Sequence, residues 1–289
     1  MDRQSRRGPD GPPRLESGLP GKRPERRNPT QGSALARVSL AHTEADLMAA
    51  YELVYLRYLK EGYQAPTPGK LRFIAHCCLP TSHTFVAKIH GQVVATLSLI
   101  CDHALGLPLE KEYPEEIARL RAQGDVLAEV SCLATRRFGD RGVLMRMMRT
   151  MYAYARYQLG ISACCIAVHP RQRRFYERVL LFEGIGEERS YQAVGQAPAV
   201  ALRMDLRNCE ARMAQAHADG LVGRFFGADC DYAAMASELA QVQREALRAR
   251  YAFTRYQLQR HAVTEHEQAA IISAYRGCFD LSEALAAGK

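Results

Sequence analysis

The succession of a strand, a helix and a second strand between residues 126 and 168 constrains the fold of this chain more than any other feature. Residues 126–135 alternate apolar and polar side chains in the way that a strand does. Residues 142–159 are predicted to form a helix that stops at Gly160. Residues 161–168, ISACCIAV, are continuously apolar, which is typical of a strand buried on both faces of a sheet. This succession predicts a mixed α/β layer.

The flanking segments add further helices and strands to this layer. They are a helix over 45–60 capped by Thr43, a hairpin turning at His90-Gly91, an acidic helix between Pro114 and Gly124, a helix over 169–182, and two strand-like runs ending near residue 206. The predicted order is therefore helix, hairpin, strand, helix, strand, helix, strand, strand. This order assigns residues 37–206 to one α/β domain.

Both ends of the chain differ in composition from this central region. Residues 1–36 contain eight basic and four acidic side chains, about half of the net charge of +8. They include many prolines and almost no large apolar residue, so they are predicted to be a disordered basic tail. Such a tail is either solvated or in contact with nucleic acid or another acidic surface. Residues 207–289 have helical periodicity, with a capping box at Thr264 and Glu267, and are predicted to be a helical extension.

Composition argues against several classes of protein. The longest apolar runs are far shorter than the ~20 residues that span a bilayer, and the first residues lack the apolar segment of a secretion signal. The chain is therefore predicted to be cytoplasmic, without a membrane span. Its nine cysteines have irregular spacings and no CxxC pattern. They are interpreted as buried apolar residues, and no metal site is predicted.

A basic turn follows the strand at 126–135 directly. The sequence RRFGDRG, residues 136–142, precedes a helix, and the unpaired N–H groups of a helix start attract anions such as phosphate. By itself, a basic helix start is as consistent with a solvated surface. Glu129 lies on the strand before this turn, and Tyr176 lies one turn into a later helix, where a tyrosine is commonly part of the core.

Taken in this order, the segments resemble the GNAT N-acyltransferase fold, a mixed central sheet flanked by helices. In that fold the turn motif R-x-x-G-x-G/A holds the phosphates of the acyl donor, and the two adjacent strands splay to admit its pantetheine arm. Arg136, Gly139 and Arg141 occupy the motif positions, although Arg141 departs from the expected small residue and Gly142 lies one residue late. The resemblance implies that Arg136, Arg137, Gly139, Arg141 and Gly142 bind the donor.

A narrower resemblance rests on three segments. EVSCLA, residues 129–134, looks like the E-[LV]-S-R-[FL]-A strand shared by acyl-homoserine-lactone synthases and long-chain N-acyl amino acid synthases. Residues 106–124 and 167–191 are similar to the second of these families, and the similarity covers roughly residues 45–206. Two positions depart from the pattern: Cys132 replaces an arginine, and Leu181 replaces a glycine.

This resemblance implies transfer of a long-chain fatty acyl group from an acyl carrier protein to the α-amine of an amino acid. The co-substrate is the phosphopantetheine thioester of the carrier, or an acyl-CoA, and no permanently bound cofactor is expected. Glu129 is the candidate general base, unless it only anchors a loop or pairs with an arginine. A backbone N–H near Cys132 would hold the oxyanion, and Tyr176 would contact the departing thiol. The expected acceptor contacts are Tyr55, Arg57 and Tyr63.

Arginines cluster around the predicted donor turn and the next helix. They are Arg136, Arg137, Arg141, Arg146 and Arg149 in the first group, and Arg171, Arg173, Arg174 and Arg178 in the second. Such charge would steer the acidic carrier protein, and a nucleic-acid partner is not expected. Two alternatives remain open: an acyl-CoA-dependent N-acetyltransferase of a small amine or protein lysine, and a non-catalytic protein that senses acyl thioesters. The methionines at 145, 147, 148 and 151 line an acyl channel or pack in the core.

Overall fold

A computed structural model describes residues 36–136, 141–216, 230–258, 263–276 and 278. The strands are β1 (Arg37–Leu40), β2 (Ser82–Ile89), β3 (Gln92–Cys101), β4 (Leu127–Thr135), β5 (Ala163–Val168), β6 (Glu183–Gly184), β7 (Arg189–Tyr191) and β8 (Ala197–Asp205). The helices are α1 (Glu44–Lys60), α2 (Pro114–Ala122), α3 (Arg141–Ala153), α4 (Arg173–Val179), α5 (Cys209–Ala216), α6 (Tyr232–Gln241), α7 (Gln243–Leu258) and α8 (Glu265–Arg276). The predicted mixed sheet with flanking and C-terminal helices is confirmed. All but the last residue of the predicted tail at 1–36 lies outside the described residues.

The central sheet has the order β1-β2-β3-β4-β5-β8-β6, and β7 also pairs with β8. β4 and β5 are parallel, whereas the other pairs are antiparallel. The register of β4 with β5 runs from Leu127–Ala163 to Glu129–Cys165 and then stops. Both strands continue beyond that point, to Thr135 and Val168. The two central strands therefore diverge from Glu129 onward.

Local backbone chemistry explains where several elements begin and turn. The Thr43 side chain accepts a hydrogen bond from the Asp46 N–H at 3.1 Å, which caps α1 as predicted. His90 and Gly91 have φ values of 50° and 77°, so the predicted hairpin turns through two left-handed residues. The capping box of α8 is also confirmed, because the N–H of Glu267 donates to Thr264 Oγ1 at 3.2 Å.

Helices cover both faces of the sheet. On one face, α3 and α6 bury side chains such as Met147 and Leu239 against β2 to β5. On the other face, α1 and α7 pack together, and the rings of Tyr51 and Phe253 lie 5.2 Å apart. The C-terminal helices α6 and α7 therefore pack against the layers around the sheet. No helix of the described ranges is both long and apolar enough to cross a membrane.

The structure differs from the sequence predictions in several places. Three strands, β6, β7 and β8, stand where two strand-like runs were predicted. β1 is a strand that the sequence analysis did not predict, and it pairs with β2 at the sheet edge. The predicted helix over 169–182 is a 3₁₀ turn, Pro170–Gln172, followed by the short α4. It ends early because Leu181 adopts a left-handed φ of 56° and turns the chain toward β6. The periodic region from Asp231 divides at Val242 into α6 and α7.

Candidate active site

A cavity of about 550 Å³ opens where β4 and β5 diverge. One wall is β4 from Glu129 to Thr135, and the opposite wall runs from Ile166 on β5 into α4. The C-terminal end of α1 and residues 191–199 close the remaining sides. Divergence leaves the facing edges of the two strands without ladder partners, while β4 stays paired with β3 and β5 with β8. A ligand in this cavity therefore has access to main-chain groups as well as to side chains.

Glu129 lies at the point of divergence and is 2% exposed. Its Oε2 atom accepts a hydrogen bond from the Leu109 N–H at 2.7 Å. Burial raises the pKa of Glu129 to about 8, while the bond from Leu109 acts in the opposite direction. A carboxyl group with such a pKa exchanges a proton near neutral pH, which is the property of a general base.

Cys132 forms a β-bulge three residues further along β4. Thr96 pairs with Ala134 and Ser98 pairs with Ser131, so Cys132 and Leu133 both lie opposite Leu97. Cys132 has a φ of 52°, a left-handed conformation that is uncommon for a residue other than glycine. A bulge of this kind takes one residue out of the ladder and redirects its main-chain groups. The predicted oxyanion contact near Cys132 therefore lies on irregular backbone in the cavity wall.

The thiol of Cys132 has a sulfur neighbour. Its Sγ atom lies 3.8 Å from Sγ of Cys77, which is in the 3₁₀ turn Ala75–Cys78. Cys77 and burial together raise the pKa of Cys132 well above that of a free thiol. Cys132 is therefore a neutral thiol at physiological pH. Cys132 occupies the arginine position of the E-[LV]-S-R-[FL]-A pattern that this strand resembles.

Tyr176 lines the opposite wall and is 7% exposed. It belongs to α4, and its ring meets the Phe175 ring edge to face at 5.4 Å. Burial raises the pKa of Tyr176 to about 12, so its hydroxyl stays protonated and can donate a hydrogen bond. The side chain is thus both a core residue and a wall of the cavity.

The predicted donor-binding residues fall into three groups. Arg141 lines the cavity, and Gly142 lies half-buried in the first turn of α3. Arg136 follows β4, and its Nη1 atom donates to Gln92 Oε1 at 3.3 Å at the protein surface. Arg137 and Gly139 lie outside the described residues.

Two of the three predicted acceptor contacts lie together in the cavity wall. Arg57 and Tyr63 both line it. Tyr55 is instead buried, and its hydroxyl accepts a hydrogen bond from the Thr67 N–H at 3.2 Å. Its described role is therefore to hold the segment that follows α1.

Several residues outside the predicted set of site residues also line the cavity. Tyr58 and Tyr191 lie on the side of α1 and β7, and His169 and Gln172 lie beside α4. Tyr191 is 8% exposed, and its pKa is raised by burial and then by the nearby charge of Glu129. No local motif marks Tyr191, because it is near Glu129 only through packing of distant segments.

The described residues around the cavity offer no group of three or more His, Cys, Asp and Glu side chains that could hold a metal ion. The groups available for chemistry include a buried carboxyl, four tyrosine hydroxyls, main-chain groups of the bulge and several arginines. In a GNAT-like sheet, this arrangement is suited to N-acyl transfer, and the protein is an N-acyltransferase. The family model for the N-acyl amino acid synthase FeeM matches residues 49–205. This match spans more than half of the chain, and the chain belongs to that family.

Similar solved structures include FeeM, which supports the same fold, and two of weaker similarity. The structure of FeeM, an N-acyl amino acid synthase from uncultured soil microbes, is 25% identical with a TM-score of 0.55, and the match covers 66% of this chain and 97% of that one. The acyl-homoserine-lactone synthase LasI is 15% identical with a TM-score of 0.46, covering 59% and 89%. A probable acetyltransferase from Staphylococcus epidermidis is 16% identical with a TM-score of 0.42, covering 59% and 98%. A comparison with curated proteins finds no match.

Proposed function

We propose that this enzyme transfers a long-chain fatty acyl group from the thioester of an acyl carrier protein to the α-amine of an amino acid. The observation that carries the proposal is the family match over residues 49–205, which includes the diverging strands and Glu129. The product is an N-acyl amino acid, and the released carrier keeps its thiol. The proposal places the reaction in the cytoplasm.

In this mechanism Glu129 takes a proton from the ammonium group of the acceptor. A peptide α-amine has a pKa of about 7.7 to 8.0, and the ammonium of a free amino acid is less acidic, so most of it is protonated before attack. Glu129, with a pKa of about 8, is matched to this transfer. The same burial that raises its pKa keeps competing water away from the carboxylate.

The amine nitrogen then attacks the thioester carbonyl, and a C–N bond forms. Negative charge develops on the carbonyl oxygen, and a main-chain N–H of the bulge at Cys132 and Leu133 stabilises it. Collapse of the tetrahedral intermediate breaks the C–S bond. The Tyr176 hydroxyl donates a hydrogen bond to the departing sulfur, which leaves as a thiolate. The attacking nitrogen still carries one proton more than the amide product. It releases that proton, and the thiolate takes it up. Because a thiol has a pKa near 8.5, this contact contributes less than the base does.

The donor and acceptor approach from opposite sides of the cavity. Arg141 and the other residues of the predicted donor motif at 136–142 would hold the phosphate of the pantetheine arm. Exposed arginines on and next to α4, namely Arg171, Arg174 and Arg178, provide positive charge for an acidic carrier protein. Arg57 and Tyr63 form the acceptor side together with Tyr58 and Tyr191.

Mass spectrometry of reaction mixtures tests the proposal directly. The purified protein is incubated with a long-chain acyl carrier protein and the twenty amino acids, and in parallel with the acyl-CoA of the same chain length. An N-acyl amino acid formed faster from the carrier thioester supports the proposal and identifies the acceptor. Faster formation from acyl-CoA would show that acyl-CoA is the donor. Acylation only of other amines would show that the acceptor is not an amino acid.

A further inference from the structure

Arg121 on α2 joins two acidic side chains outside the cavity. Its Nε and Nη2 atoms donate to Oδ2 and Oδ1 of Asp102 at 2.7 and 2.8 Å. Its Nη1 and Nη2 atoms donate to Oε1 and Oε2 of Glu110 at 2.5 and 2.6 Å. We call these paired hydrogen bonds of Arg121 with Asp102 and Glu110 the Arg121 clamp. Because Asp102 directly follows β3, the clamp fixes Glu110 relative to the central sheet.

Glu110 belongs to the 3₁₀ turn Pro108–Lys111 and holds that turn closed. Its Oε2 atom accepts a hydrogen bond from the Leu107 N–H at 3.1 Å. Gly106 makes this approach possible, since a Cβ atom at that position would lie 2.4 Å from Glu110 Oε2, and its φ is 70°. The conformation of residues 106–110 is therefore tied to the clamp.

The same turn presents the Leu109 N–H to the Glu129 carboxylate. The distance is 2.7 Å, and Leu109 is fully buried. A buried carboxylate depends on such a donor because burial strips away much of its hydration. The other titratable groups that interact electrostatically with Glu129 are Cys77, Glu112, Cys165 and Tyr191. These groups are acidic, so the Leu109 N–H is the group that favours the ionised form.

We propose that Arg121 is a positioning residue for Glu129, acting through Glu110 and the main-chain N–H of Leu109. The inference rests on the proposed function only in so far as Glu129 is the base. Loss of the clamp frees the turn at 108–111 and weakens the hydrogen bond to Glu129. The carboxylate then loses its donor, and its pKa rises, because this bond lowers it in the intact protein.

The test compares Arg121→Gln with Arg119→Gln, which removes the same charge from an exposed position on the same helix. Carboxyl-carbon NMR of the substrate-free protein measures the pKa of Glu129 without any assay of activity. We expect Arg121→Gln to raise this pKa by about half a pH unit or more, and Arg119→Gln to leave it in place. The acidic limb of the pH profile of kcat/KM should move by the same amount as the pKa in Arg121→Gln. Arg121→Lys should show a smaller shift.

Two outcomes overturn the inference. The first is a folded Arg121→Gln protein in which Glu129 titrates as it does in Arg119→Gln. If Arg121→Gln does not fold, Glu110→Gln, which removes one arm of the clamp, is measured in its place. The second outcome is then an unchanged pKa of Glu129 in Glu110→Gln. A shift of the pKa in NMR without movement of the activity profile supports the positioning role and counts against Glu129 as the base, so the two proposals fail separately.

Discussion

Glu129 combines deep burial with a single described hydrogen bond, from the Leu109 N–H. We expect Glu129→Gln to lower the acyl-transfer rate at least tenfold, because the amide cannot accept the ammonium proton. In the unsubstituted enzyme, kcat/KM should rise with pH up to about 8, the pKa of Glu129, whereas in the variant the rise should shift to the higher pKa of the acceptor ammonium. Steady-state kinetics between pH 6 and 9 measure both effects. Glu115→Gln, on the exposed side of α2, is the control.

The raised pKa of Glu129 also predicts a dependence of stability on pH. The carboxyl group ionises near its ordinary pKa of 4.5 in the unfolded chain and near 8 in the folded one. Between these values the folded state binds more protons, so the contribution of Glu129 lowers the free energy of unfolding as pH rises, by up to about 1.4 kcal/mol per pH unit. Glu129→Gln removes this contribution. Denaturant unfolding at pH 5 and pH 8 should show the variant gaining stability relative to the parent at the higher pH, and a constant difference would contradict the assignment.

At the scale of single elements, the bulge in β4 determines where main-chain groups of the cavity point. Cys132 has a φ of 52°, and a β-branched side chain is strongly disfavoured there. We expect Cys132→Val to cost about 1 to 2 kcal/mol of stability and to lower kcat more than tenfold, because the bulge must rearrange. Cys132→Ala, which loses the thiol alone, is the matched control and should keep kcat within about threefold. Thermal unfolding and kinetics measure the two effects. Equal activity of the two variants would show that the bulge has no role in the mechanism.

The helices and strands also show which structural features a local sequence pattern predicts and which it does not. Thr43, the His90-Gly91 turn and the capping box at Thr264 act through neighbours within a few residues, and each was predicted correctly. β1 was missed because four residues carry little periodicity, and its pairing with β2 depends on a distant segment. α4 is shorter than predicted because the left-handed Leu181 ends the helical region, and the local pattern favours a continued helix there.

At the scale of the whole molecule, the distribution of charge bears on the donor. Arg174 and Arg178 are exposed on α4, next to the cavity wall. We expect Arg174→Glu combined with Arg178→Glu to raise KM for the acyl carrier protein about tenfold, with little change for acyl-CoA, since an acidic protein is repelled more than a small thioester. The effect should shrink at high salt. Arg119→Glu, on α2, is the control, and an equal rise in KM for both donors would argue against carrier docking at α4.

The sequence alone determined most of the order of strands and helices, the turn chemistry and the family resemblance, because these depend on residues close together in the chain. It also identified Glu129, Tyr176 and Arg141 as site candidates, all of which line the cavity. The resemblance implied that two strands splay, but only the tertiary structure decided that β4 and β5 separate at Glu129 and that Tyr191 joins the site. The high pKa of Glu129 is likewise a tertiary property, because desolvation comes from segments such as the turn at 108–111 that pack over it. Burial and long-range strand pairing depend on contacts between residues that are far apart in the chain. A local sequence pattern does not specify those contacts.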